Sequence, residues 1–138
     1  MNREVDLYRT ESKKSVADFV ADFHDVGKKY DFVINNFENM DMKKNFRGHG
    51  GTVPDEFDLH MVQVCKPTKA DASLTANPER AVLMPKFVMV FTKDDETHIR
   101  YLSYSNAEIL ELVPDDPKFP ESVSQTFDKI RSMIDEAK

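Results

Sequence analysis

The feature that most limits what this chain can become is one apolar stripe near its start. In SVADFVADFHDVGKKY, Ser15 to Tyr30, the residues Val16, Phe19, Val20, Phe23 and Val26 recur at helical spacing. Asp18, Asp22, Asp25 and Lys28 take the opposite side. Ser15 with Asp18 resembles a capping box, in which a hydroxyl and a carboxylate satisfy unpaired first-turn N–H groups. Lys28 and Lys29 suit the negative end of the helix dipole. A helix with one oily side needs a surface to lie on. A second such helix is predicted at the other end, where Pro120 suits a helix start and Val123, Phe127, Ile130 and Ile134 form the seam.

The segments between these helices have the character of strands. Val5–Thr10, Phe32–Phe37 and Phe57–Cys65 read as three strands, the last stopped by Pro67. Met40 to Phe57 is a glycine-rich loop with a helical turn near Met42–Phe46. Thr68–Ala76 is a short helix that ends before Asn77-Pro78, because the residue ahead of proline is pushed out of the helical region. Glu79–Met84 is a further turn closed by Pro85. Lys86–Thr92 and Thr97–Tyr104, joined by Lys93–Glu96 as a four-residue turn, form an antiparallel hairpin. Asn106 is expected to cap a short helix through Leu112.

This order gives an α+β fold: one mainly antiparallel sheet with two long helices packed on one face. The apolar residues of the strands, Met61, Met89 and Phe91 among them, exceed what one sheet face needs. A homodimer contact or a small bound ligand would cover the surplus.

The 138 residues suit a single domain spanning 1–138. One cysteine excludes an intrachain disulfide framework and fits a reducing cytoplasm, the expected location. A net charge of −6 disfavours nucleic acid, since counterion release requires a basic face. No apolar run nears the ~20 residues of a membrane span, and Met1–Asp6 has no apolar leader segment. The histidines His24, His49, His60 and His98 lack ligand spacing, so neither metal nor cofactor is expected.

The stretch CKPTKADASLTANPERAVLMPKFVMVF resembles the signature of the domain-of-unknown-function family number 302. The matching positions are Cys65, Pro67, Ala72, Leu74, Asn77, Pro78, Met84 and Pro85. The resemblance implies a β-α-β(4)-α order, a curved antiparallel sheet holding two helices in the outline of TATA-binding proteins, and a homodimer. It implies no reaction. Where many relatives have a second cysteine after the second proline, this chain has Lys86, so a dithiol within one chain is not available.

Candidate site residues gather where the third strand meets the hairpin: Cys65, Lys66, Asn77 and Lys86, with His60 and Arg47 as lesser candidates. Cys65 is read as a small residue filling the strand end. The alternative is a working thiol, activated beside Lys66 and a helix start, as a nucleophile or redox centre. His60 does not serve it, since residues five apart on a strand project to opposite faces. Arg47, in RGHGGT, could hold an anion with backbone N–H groups, though a plain mobile loop is the simpler reading. Glu108, Glu111, Asp115 and Asp116 read as a solvated acidic surface. The expected function is a non-catalytic module that binds a small apolar or anionic ligand, or a protein partner. A thiol-dependent enzyme using Cys65 is the alternative.

Overall fold

Two aspartates make the turn between the paired strands near the centre of the sheet. The structure, a computed structural model, describes residues 5–138. Strands β4 (Lys86–Lys93) and β5 (Glu96–Tyr104) pair from Val88↔Tyr101 to Lys93↔Glu96. Only Asp94 and Asp95 lie between them, so the turn has two residues rather than four. Their φ values of 55° and 62° are those of a type I′ turn, whose twist matches that of the strands. Aspartate tolerates this left-handed region better than most side chains.

Strand β1 (Val5–Ser12) lies along β5 and continues two residues beyond the expected Thr10. On the other side, β3 (Leu59–Cys65) pairs with β4, and β2 (Val33–Ile34) pairs with β3. The order is β1-β5-β4-β3-β2, antiparallel throughout. Strand β2 has two residues, not the six of Phe32–Phe37. Asn36 explains the difference. Its side-chain Nδ2 donates to the Met61 carbonyl at 2.8 Å, and its Oδ1 accepts from the Gln63 amide at 2.9 Å. A side-chain amide thus replaces the backbone ladder and ends the strand.

Helix α1 (Val16–Lys29) starts as expected, with Ser15 Oγ accepting from the Asp18 amide at 3.1 Å. Four short helical segments follow: α2 (Met42–Gly48), α3 (Pro67–Ala76), a 3₁₀ turn (Pro78–Leu83) and α4 (Asn106–Leu112). The cap of α4 is Ser105, one residue before the expected Asn106; its hydroxyl accepts from the Glu108 amide at 3.2 Å. The last helix, α5, spans Phe119–Ala137.

Helices α1 and α5 pack against each other and share one face of the sheet. Phe19, Phe23, Phe127 and Ile130 meet Val62, Val88, Val90, Ile99 and Tyr101 there, and all are buried. Each such side chain contributes roughly 1.5–3 kcal/mol by leaving water. This layer outweighs any local propensity. Tyr8 donates a hydrogen bond to Asp135, tying β1 to the end of α5.

Among the described residues, no helix pair covers the opposite sheet face. Met61, Phe87, Met89 and Phe91 are half-buried there, and Leu7 and Leu102 are 37% and 46% exposed. Among the described residues, no helix is long and apolar enough to cross a membrane.

Candidate functional site

Two helices present the same spacing to one another across the end of β3. On α3 and its cap, Lys66, Lys69, Ala70 and Ser73 fall at i, i+3, i+4 and i+7; on α5, Phe119, Ser122, Val123 and Thr126 do the same. That spacing puts each set on one helix face. Between the faces lies a cleft, floored by Val64 and Cys65 at the end of β3 and by Lys86 at the start of β4. The space open to the centre of a water-sized sphere within it is about 30 Å³. Past Phe32 the cleft opens into a shallower groove where Tyr30, Asp31, Gln125 and Lys129 join Lys66, Lys69 and Thr126.

Lys66, Lys69, Lys86 and Cys65 line this cleft, and among the described residues no Asp or Glu does. The Lys69 ammonium is held by the Ser122 carbonyl at 2.8 Å and by Thr126 Oγ1 at 2.7 Å. Burial, and then the charge of Lys66, lowers its pKa. Lys66 places its ammonium 5.8 Å from the centre of the Phe32 ring. Lys86 has the weakest company of the three: its Nζ meets the Met84 sulfur at 3.8 Å, a poor acceptor. Burial pushes the Lys86 amine down to about 8, with nearby Cys65 opposing that and Lys69 adding to it. Cys65 is half-buried and free.

A buried ion pair braces the outer wall. Arg80 grips Asp116 through Nε and Nη2, the latter 2.9 Å from Oδ1, and its Nη1 donates to Ser73 Oγ at 3.0 Å. The guanidinium lies 5.1 Å from the centre of the Phe119 ring. Ser73 and Phe119 both line the cleft, so the pair holds α3 and α5 at their present separation. Asp116 is therefore not part of a solvated acidic surface: it is 6% exposed. The Arg80 hydrogen bonds hold its carboxyl at about 2, against the opposing effect of burial.

Of the residues singled out in the sequence, Cys65, Lys66 and Lys86 come together in the cleft. Asn77 stands behind the wall instead. Its Oδ1 accepts from the Glu79 amide at 3.1 Å, capping the 3₁₀ turn, while its Nδ2 donates to Asp116 at 3.0 Å. His60 is nearer the other end of β3, its Nε2 3.7 Å from Asp58. Arg47 donates to Asp55 Oδ1 at 2.8 Å and to the Val53 carbonyl at 2.9 Å, closing the glycine-rich loop on itself. Lys69, Ser122 and Thr126 escaped sequence reasoning, although the i, i+3, i+4, i+7 recurrence on both helices was there to be read. Among the described residues, no group of three His, Cys, Asp or Glu could hold a metal ion.

Comparison with known proteins accords with this architecture. The family profile described as "Domain of unknown function DUF302" matches residues 8–137. A crystal structure of an uncharacterized conserved protein DUF302 from Bacillus stearothermophilus superposes with a TM-score of 0.77. It is 14% identical in sequence, over 96% of this chain and 98% of that one. No curated protein matches the sequence.

Proposed function

The chain belongs to the DUF302 family, a domain of unknown function, and we propose that it is a non-catalytic module that binds a small anion. One observation carries this reading: Lys66, Lys69 and Lys86 surround an apolar cleft that, among the described residues, no carboxylate lines, Asp31 standing only on the adjoining groove, in a chain of net charge −6. A buried cation without a counter-charge is costly, and an incoming anion relieves that cost. The ligand class is a carboxylate or phosphate on a slender apolar group. The anion meets the amines, and the apolar part meets Val64, Phe119 and Val123.

Butanoate and inorganic phosphate are the probes. Either should raise the melting temperature of the full chain in a concentration-dependent way. Lys69→Met should remove most of that shift. An equal shift in the variant, or none in the wild type, overturns the reading.

The module self-associates through its open sheet face, a reading supported by Met61, Phe87, Met89 and Phe91 beside exposed Leu7 and Leu102. Sedimentation should find a dimer for the wild type and a monomer for Met89→Lys. A monomeric wild type removes this part. The single cysteine supports a reducing cytoplasm as its location.

The second reading, a thiol-dependent activity, draws on Cys65 lining the same cleft near Lys86. An ammonium close by stabilises a thiolate. Iodoacetamide should then alkylate Cys65 in the native protein without denaturant. Labelling that needs denaturant eliminates this alternative.

A further inference from the structure

We propose that the cleft captures a small aldehyde or ketone bearing a carboxylate or phosphate, the Lys86 amine condensing with the carbonyl carbon to form an imine. This deepens the anion-binding reading and rests on it. Lys86 is half-buried yet lacks the oxygen partners that hold several other lysines of the molecule. Lys14, Lys29 and Lys138 are tied to Asp22, Glu136 and Asp135 at 2.7, 2.9 and 3.1 Å. Lys69 spends hydrogen bonds on Ser122 and Thr126. Among the described residues, Lys86 has only the sulfur of Met84 at 3.8 Å, so its nitrogen lone pair is not competed for once the proton has left.

The charged and titratable groups around that nitrogen point the same way. Cys65 comes from β3, and Lys66 and Lys69 come from α3 and its cap. Helix α5 offers Ser122 and Thr126 to the cleft, Lys129 and Asp31 stand on the adjoining groove, and Asp116 is already engaged by Arg80 behind the wall. A desolvated lysine beside another cation is the arrangement that makes an amine nucleophilic near neutral pH. Burial lowering Lys86 to about 8 accords with it. Lys66 and Lys69 would hold the anionic group and fix the carbonyl against the amine.

The step balances without a co-reactant. The nitrogen adds to the carbonyl carbon to give a carbinolamine. A C=N bond then forms as the C–O bond breaks, and the carbonyl oxygen leaves with the two amine protons as water. Nothing is oxidised or reduced, and hydrolysis reverses it. The apolar walls slow that reversal by limiting water.

The full chain incubated with glyoxylate and sodium cyanoborohydride should gain one reduced adduct, mapped to the peptide containing Lys86. It should form about tenfold faster than at surface lysines, with a rate that rises through pH 8. Lys86→Met should abolish the adduct, while Lys69→Met should slow it. Adducts scattered over exposed lysines overturn the proposal. A thermal shift with butanoate, without adduct at Lys86, sinks the imine and leaves anion binding standing. Absence of both sinks the two together. Mapping on the wild type decides the matter even where a variant does not fold.

Discussion

Arg80 and Asp116 form a two-pronged ion pair that joins the 3₁₀ turn to the segment before α5, and through it the two helices flanking the cleft keep their distance. The two residues are 36 positions apart. Asn77 donates to the same carboxylate, and Ser73 accepts from the same guanidinium. The pair therefore couples the folding of the wall to the shape of the site.

Removing the carboxylate leaves a mostly buried guanidinium unpaired. Asp116→Asn should cost about 3 kcal/mol, read as a lower midpoint in urea unfolding. The butanoate-induced thermal shift should weaken as well, because Ser73 and Phe119 lose their brace. A loss within about 0.5 kcal/mol, the range of ordinary surface changes, would show that the pair is not structural.

The same contact fixes an acid dependence. The carboxyl of Asp116 is held at about 2, below its ordinary value of 3.8. Its folded-state pKa is depressed, so its contribution is complete above 3.8 and is lost as pH falls towards about 2. Between those values the wild type should lose stability more steeply than Asp116→Asn. Parallel curves of unfolding free energy against pH for the two proteins would contradict this.

At the hairpin, Asp95 holds a φ of 62° that glycine adopts without a steric penalty. Asp95→Gly converts the turn to Asp-Gly, the preferred type I′ pair. It should be neutral or stabilising, by up to about 1 kcal/mol, in thermal unfolding. Asp95→Val should be destabilising, because a β-branched side chain fits this region worst. The reverse order of stability would mean the turn has another geometry.

Tyr101 stands on the helix-facing side of β5, 1% exposed, edge-on to Phe127 at 6.3 Å. Among the described residues its hydroxyl has no hydrogen-bond partner, and burial raises its pKa. Tyr101→Phe removes an unsatisfied buried polar group and keeps the ring, so stability should rise by about 1 kcal/mol. A loss of that size would reveal a partner for the hydroxyl.

The local periodicities were legible in the sequence because they are local. The stripe from Val16 to Val26 specified a helix and its buried side before any neighbour was known, and the β-branched and aromatic residues of Thr97–Tyr104 specified a strand. Two such helices and an antiparallel centre left few arrangements other than the one found. The bounds of β2 and the length of the hairpin turn were not legible, since side-chain bonding by Asn36 and a left-handed Asp-Asp pair leave no mark on hydrophobic pattern.

The site divides in the same way. Cys65, Lys66 and Lys86 were visible as a neighbourhood because each stands near a proline where the third strand ends or the hairpin begins. Lys69, Ser122 and Thr126 meet only after α5 has docked, and Asp116 looks like surface acid until Arg80 arrives from a different element. Sequence by itself determined which stretches coil, which extend and which sides are oily, because those depend on neighbours a few residues away. Only the tertiary structure decided which charges lose their water, because desolvation depends on what packs alongside from distant parts of the chain.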